Sequence, residues 1–431
     1  MKRLLTLLAA ATALTAAPAA AQTVAIVNGK VAIGDGSAPV DNGTVVIRNG
    51  RIVAAGAGVA VPADAQRIDA QGRWVTPGLV AGWTNLGLTE VEGVSDANDS
   101  VANQSPFSAA IDVAPAVNAA VSALAITRSR GVTRAIVAPD AGNDIFAGQG
   151  ALVDMGNDVD AVFKPRAFQF VELGETGARK AGGSRAATFV FFRNAMLEAR
   201  DYARNPSAYG GRDSDALLMR LDAAALVPVV EGRMPLAVHV ERASDILQVL
   251  DLRKEFPNLK LILVGASEGW LVADKIAAAN VPVLTPALTD LPYAFEALAA
   301  TQSNYGRLKA AGVKVAIGEL GGQPRNTKQS AGNLVALQKV PGASGVSWGE
   351  ALAAVTSAPA EVMGLGNDFG SLRAGRRADV VIWDGDPLEL DTAPVAILID
   401  GVQQPLENRQ TKLRDRYLTP GEKALPKAFE R

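Results

Sequence analysis

The chain of 431 residues is 48% hydrophobic and 20% charged, and its formal net charge is -2. This composition excludes a disordered protein and supplies a core large enough for one big domain plus a smaller one. The balance of basic and acidic side chains argues against a nucleic-acid partner. The absence of cysteine excludes disulfides, thiol nucleophiles and thiolate metal sites.

Residues 1–21 have the pattern of a signal peptide. Lys2 and Arg3 precede an apolar stretch that ends in three alanines, the small-residue signature of a signal peptidase site. The stretch is shorter than the ~20 residues that a bilayer span requires. We therefore expect cleavage before Gln22 and a periplasmic or secreted protein, with no membrane anchor after cleavage.

Both ends of the mature chain have the sequence pattern of β-strands. Residues 22–76 contain short β-branched runs with Asn-Gly at 28–29 and at 49–50, and each Asn-Gly pair predicts a hairpin. Residues 366–405 again combine strand-like runs with glycine turns. The two segments are predicted to form the halves of one small, discontinuous β-sandwich domain.

The middle of the chain, residues 77–365, has the length and texture of a (β/α)8 barrel. Apolar runs alternate with helical stretches, which predicts an α/β fold with parallel strands and crossover helices. The clearest strand predictions are residues 132–139, 235–241, 259–265, 281–286 and 313–319. A helix is predicted over 349–365, a long excursion at a barrel face over 172–212, and a charged surface helix and tail over 406–431.

These segments carry a family resemblance. The order of small sheet, VTPGLVAGWTNLGL (75–88), barrel and SAPAEVMGLGNDFGSLRAGRRADVVIWDGDPLE resembles the metal-dependent amidohydrolase superfamily, especially its imidazolonepropionase-like branch. The resemblance covers nearly all of the mature chain. It implies a barrel inserted into a composite β domain, with one or two divalent metals that activate water to hydrolyse C–N bonds.

The resemblance also shows where metal ligands are missing. The family's His-x-His pair falls on Trp83 and Asn85, and neither an indole nor an amide is a good zinc ligand. His239 matches a later barrel histidine, whereas the next strand end contains Ser267 and no histidine. The family's aspartate falls near Glu319, and its bridging lysine or glutamate falls within residues 168–172, which contain no lysine.

One histidine with one or two carboxylates is too small a ligand set for a tight transition-metal site. We therefore expect no cofactor. If zinc or another divalent metal binds, His239 and Glu319 are its predicted ligands.

Residues 265–269 match the G-x-S-x-G pattern between a strand and a helix, as in a nucleophile elbow. This pattern raises the hypothesis that Ser267 attacks an acyl group, with His239 as base and Glu241 or Glu268 as the acid that orients it. The α/β-hydrolase order places the histidine after the serine, and no histidine follows Ser267. We therefore favour a neutral, hydrogen-bonded His239 in the barrel mouth over a catalytic one.

Two functions follow from these residues. The first is a protein without catalysis that binds a small molecule in the barrel mouth, or that pairs with an active paralogue or with itself. Its predicted binding residues are Trp83, Asn85, Glu241 and Trp270, although Trp83 equally suits a role in filling the space of the lost ligands. The alternative is a hydrolase acting on C–N bonds through a single metal at His239 and Glu319, or through Ser267.

Overall fold

The computed structural model describes residues 23–209, 216–318 and 323–418. Two eight-stranded sheets organise these residues: a small sheet built from both ends of the described chain, and a barrel sheet built from its middle. The predicted signal peptide (1–21), the end of the charged tail (419–431) and Glu319 lie outside the described residues.

The small sheet joins five N-terminal and three C-terminal strands. They are β1 (Thr23–Val31), β2 (Val40–Arg48), β3 (Arg51–Gly56), β4 (Gln66–Asp69), β5 (Trp74–Pro77), β14 (Val380–Trp383), β15 (Pro394–Ile399) and β16 (Val402–Gln403). β5 pairs antiparallel with β14 and thereby connects the two groups. Apolar residues of both groups, such as Ile26, Ile47 and Ile382, pack into one core.

The two Asn-Gly pairs behave differently. Asn49 and Gly50 both have positive φ and form the predicted hairpin turn between β2 and β3. At 28–29 the hairpin prediction is wrong, because only Asn28 has positive φ and β1 continues through the pair with a bulge. The bulge lets β1 pair in parallel with β4 before it and with β5 after it.

The barrel sheet runs in chain order around its eight strands. They are β6 (Leu79–Thr84), β7 (Val132–Val137), β8 (Phe146–Asp154), β9 (Val162–Glu172), β10 (Leu236–Val240), β11 (Leu261–Gly265), β12 (Val283–Thr285) and β13 (Val315–Ile317). The ring nearly closes where β6 meets β13, because a Cβ added at Gly82 would lie 2.0 Å from the carbonyl oxygen of Ile317. The prediction of a barrel combined with a small β domain is confirmed.

The barrel departs from a fully parallel ring at β8, which is antiparallel to both neighbours. Only residues 138–145 and 155–161 connect it to β7 and β9, and neither connection contains a helix. A parallel return would need a crossover of about a dozen residues or more. The short connections therefore make β7, β8 and β9 an up-down-up unit.

Twelve α-helices occur in the described residues. They are α1 (Ser122–Arg128), α2 (Glu175–Lys180), α3 (Arg185–Arg204), α4 (Pro206–Tyr209), α5 (Arg220–Val230), α6 (Ala243–Glu255), α7 (Ala273–Ala278), α8 (Asn304–Ala310), α9 (Thr327–Ala336), α10 (Trp348–Ala354), α11 (Ser357–Val362) and α12 (Arg409–Leu418). The excursion predicted over 172–212 is largely the long helix α3. Nowhere in the described ranges does a helix have the length and apolarity of a membrane span.

The barrel interior is filled by apolar side chains from all eight strands, among them Trp83 of β6, Phe168 and Phe170 of β9, and Ala237 of β10. Because residues i and i+2 of a strand point the same way, His239 continues the inward face of Ala237 towards the strand end. The interior core therefore ends directly beneath this histidine.

Candidate functional site

The candidate site lies at the carboxyl ends of three adjacent parallel strands. In the register, His239 of β10 stands beside Glu172 of β9 on one side and Val264 of β11 on the other. Glu241 follows β10 directly, and Ser267 follows β11. The carboxyl ends of barrel strands are where functional side chains of this architecture converge.

His239 is held between two carboxylates. Its Nδ1 lies 2.6 Å from Glu172 Oε2, and its Nε2 lies 3.0 Å from Glu241 Oε1. Burial opposes the charged form of the ring, but the two carboxylates outweigh burial and raise the pKa of His239 well above its ordinary value. Each ring nitrogen lies within hydrogen-bond distance of a carboxylate, and this environment favours an imidazolium over the neutral imidazole predicted from the sequence.

Glu241 is the centre of this network. It is fully buried and also accepts hydrogen bonds from the Ser267 amide and from the Tyr293 hydroxyl, each at 2.7 Å. Burial alone would raise the pKa of Glu241, but the hydrogen bond and positive charge of His239, together with these donors, lower it. Burial and the neighbouring Glu241 carboxylate raise the pKa of Tyr293, so its hydroxyl stays protonated as a donor.

The glycine of the G-x-S-x-G pattern has a packing role. Gly265 has φ of +87°, and a Cβ at this position would lie 2.3 Å from Glu241 Oε1. Only glycine combines this backbone conformation with such a close approach. The glycine that suggested a nucleophile elbow makes room for Glu241.

Ser267 is buried, and its Oγ lies 3.5 Å from the Tyr293 hydroxyl. Both ring nitrogens of His239 face glutamates, so neither is directed at this serine. Glu268 accepts hydrogen bonds from the amides of Ala243 and Ala299 and thereby fixes two loops. Among the described residues, no hydrogen bond joins Ser267 to His239. The structure therefore does not support the hypothesis that these two residues form a catalytic pair.

A cavity of about 640 Å³ opens above His239. The helix α2 and the segment between β12 and α8 form its walls, and they contribute Glu175, Thr176, Arg179, Tyr293, Phe295, Glu296 and Leu298. Glu296 is almost fully buried, and burial raises its pKa, although the Glu175 amide donates to it at 2.6 Å.

One arginine links these walls. Arg185, at the start of α3, lies 2.7 Å from Asp245, 3.3 Å from Glu296 and 3.6 Å from Glu175. The arrangement joins α2, α3, α6 and the loop after β12 at the rim of the site. The carboxylates of the cavity wall thus share a cation already present in the chain.

Trp83, Asn85 and Trp270, which are predicted from the sequence to bind a ligand, do not line the cavity above His239. Trp83 is 6% exposed and packs on Phe168 and Phe170, with ring centroids 5.2 and 5.0 Å away. Asn85 is exposed beyond the end of β6. Trp270 donates through Nε1 to the Ala299 carbonyl at 2.8 Å, so its indole holds a loop.

The described donor groups do not fit a divalent metal of the family's kind. Zinc bonds of about 2.0–2.2 Å at a tetrahedral angle would separate a histidine nitrogen from a carboxylate oxygen by roughly 3.4 Å. The two separations at His239 are 2.6 and 3.0 Å, which are hydrogen-bond distances. Elsewhere in the described ranges, no three histidine or carboxylate side chains have the arrangement of a metal site.

Three residues of this site were missed in the sequence. Glu172 is a glutamate within residues 168–172, where the family resemblance places a bridging lysine or glutamate, and this position was its signal in the sequence. Tyr293 and Glu296 belong to a loop whose residues reach the site only through the tertiary fold, so spacing along the chain did not identify them.

Comparisons with known proteins agree with this architecture. A family model described as "Amidohydrolase family" matches residues 272–403. Imidazolonepropionase of Bradyrhizobium diazoefficiens is 29% identical over 369 residues, covering 78% of this chain and 86% of the relative. Amidohydrolase tasK of Hapsidospora irregularis is 26% identical over 379 residues, covering 80% of this chain but only 38% of that protein.

Solved structures show the same fold. An amidohydrolase from Thermotoga maritima aligns with a TM-score of 0.77 at 22% identity, covering 90% of this chain and all of that one. Molinate hydrolase aligns with a TM-score of 0.53 at 18% identity, covering 94% and 98%. The chain is therefore similar in sequence to amidohydrolases over about four fifths of its length, and it has the fold of the solved amidohydrolase structures.

Proposed function

We propose that this amidohydrolase-superfamily protein binds a small molecule at the mouth of its barrel without hydrolysing it. The observation that carries the proposal is the bonding of His239, whose two ring nitrogens each face a glutamate. An imidazolium has no free lone pair, so it serves neither as a general base nor as a metal ligand. The chain contains no other histidine to take either role.

The packing around Trp83 supports the same proposal. The family resemblance places the first pair of metal ligands at Trp83 and Asn85, and the indole of Trp83 is packed between aromatic rings of β9. The cavity above His239 has the volume of ordinary small-molecule sites, about 300–1,000 Å³. A binding role uses both features without requiring a metal.

The second candidate is hydrolysis of a C–N bond, and the similarity to an imidazolonepropionase over 78% of the chain favours it. A homodimer or an active paralogue as partner stays a prediction from the sequence. These alternatives differ in what they require of His239 and of bound metal.

The test is metal content and turnover of the mature protein. Protein purified without chelator is offered zinc, manganese or iron, desalted, and analysed for metal, and it is then assayed on amides, lactams and dipeptides. We expect no stoichiometric metal and no turnover. One retained equivalent, together with turnover that the His239→Gln variant abolishes, contradicts the proposal and establishes the hydrolase.

We further propose export, on the strength of the N-terminal pattern of Lys2, Arg3 and three alanines before Gln22. The intact mass of the protein recovered from the periplasmic or culture fraction tests this. A mass beginning at Gln22 is expected. A full-length chain in the cytoplasmic fraction contradicts it.

A further inference from the structure

The charged side chains of the cavity differ in whether they have a partner of opposite charge. Glu175 and Glu296 share Arg185, at 3.6 and 3.3 Å. His239 lies between two glutamates. Arg179, in contrast, donates at 2.9 Å to the hydroxyl of Thr176 and has no carboxylate partner among the described residues.

The loop between β12 and α8 adds an apolar wall. Tyr293, Phe295 and Leu298 line the cavity and are 60%, 84% and 63% exposed. Large apolar side chains grouped on a cavity wall mark a surface that a ligand covers. Tyr293 is also fixed at its hydroxyl by Glu241, so this part of the wall has a defined position above His239.

We propose that the cavity binds a small organic anion in which a carboxylate is attached to an apolar or aromatic body. The guanidinium of Arg179 binds the carboxylate, and the side chains of Phe295 and Leu298 cover the apolar body. This inference rests on the binding role proposed above and specifies the chemical class of the ligand. The size of the ligand is limited by the cavity of about 640 Å³.

A cationic ligand is the opposite expectation, since Glu175 and Glu296 also line the cavity. Both carboxylates are engaged with Arg185, and Glu296 accepts the Glu175 amide as well. An ammonium ligand would have to compete with these contacts. A carboxylate at Arg179 displaces only a hydroxyl and solvent, and a planar guanidinium binds it through two parallel hydrogen bonds.

The test uses three probes with one apolar body: 4-phenylbutanoate, 4-phenylbutanamide and 4-phenylbutylamine. Their binding to the mature protein is measured by calorimetry, and by ligand-observed NMR for weak complexes. We expect the carboxylate to bind at least about tenfold more tightly than the amide, the range of a charge-assisted hydrogen-bond pair. The amine is expected to bind most weakly.

Three variants test which residues produce the preference for the carboxylate over the amide. Arg179→Gln is expected to abolish the preference for the carboxylate over the amide. Phe295→Ser is expected to weaken both by a similar factor and to keep the preference. Arg67→Gln, at an exposed position of β4 in the small sheet, is the matched control and leaves all affinities unchanged.

Each remaining outcome overturns the inference. Tightest binding of the amine assigns the specificity to Glu175 and Glu296, and equal affinities show that Arg179 makes no contact. Absence of carboxylate binding excludes this ligand class. Release of ammonia and 4-phenylbutanoate from the amide probe is a separate readout, because it contradicts the non-hydrolytic role and not the ligand class.

Discussion

Among single residues, His239 is the one on which the proposed function depends. The sequence places it on an inward-facing strand position, and this placement is correct. Its charge depends on Glu172 and Glu241, which lie 67 and 2 residues away along the chain and flank the ring on opposite sides. The sequence places Glu172 in the segment expected to hold the family's bridging lysine or glutamate, but the register of β9 against β10 decides its contact with His239.

Replacing His239 with glutamine removes the positive charge between two carboxylates. We expect the free energy of unfolding to fall by about 3 kcal/mol at neutral pH, because an unpaired charge is left in a buried position. Urea denaturation measures this change. Arg233→Gln, which breaks the exposed pair with Glu231, is the control and changes stability by less than about 0.5 kcal/mol.

The same variant gives a pH dependence with a definite sign. The pKa of His239 is raised above its ordinary value of 6.5, so its stabilisation is fully present below pH 6.5 and is lost as pH rises through the folded-state pKa. The stability difference between wild type and His239→Gln therefore shrinks at high pH. A difference that grows with pH contradicts an imidazolium at this position.

At the scale of elements, sequence patterns succeed where the chemistry is local. Asn49-Gly50 forms its hairpin, whereas Asn28-Gly29 becomes a bulge because β1 has two parallel partners. The helix predicted over 349–365 divides into α10 and α11. Pro359 explains the break, since it has no amide hydrogen for the helix ladder.

Strand β6 allows a matched pair of substitutions at the two positions of the lost His-x-His motif. Trp83→Ala is expected to cost about 3–5 kcal/mol, because it leaves a cavity beside Phe168 and Phe170. Asn85→Ala, at an exposed position, is expected to stay within about 0.5 kcal/mol of wild type. Thermal and urea unfolding compare the two, and similar small effects contradict a space-filling role for Trp83.

At the scale of the whole molecule, a buried arginine connects the barrel to the small sheet. Arg134 of β7 lies 2.7 Å from Asp379, 2.8 Å from Asp400 and 3.5 Å from Asp154. Burial disfavours its charge, but the carboxylates of Asp379 and Asp400 outweigh burial and raise the pKa of Arg134. The strand-like ends of the chain and the alternating strands and helices of its middle predicted the two-part architecture. No local pattern identified the contacts of Arg134, because its partners are up to 266 residues away along the chain.

Arg134→Met tests the connection. It leaves Asp379 buried without a cation, so we expect a loss of about 3–5 kcal/mol in unfolding free energy. Arg193→Met removes an exposed pair with Glu255 and is the control, with an expected cost of about 0–1 kcal/mol. Equal costs in chemical denaturation show that the buried network does not connect the two sheets energetically.

The protonation state of His239 tests the proposed function most directly. Because the chain has a single histidine, ¹⁵N-histidine labelling gives the NMR signals of one imidazole ring. At a pH of about 8, above the ordinary histidine pKa of ~6.5, we expect two protonated ring nitrogens with similar chemical shifts. One protonated and one bare nitrogen, with a titration near the ordinary pKa, would show a neutral imidazole available as base or ligand and would contradict the proposed loss of hydrolytic function.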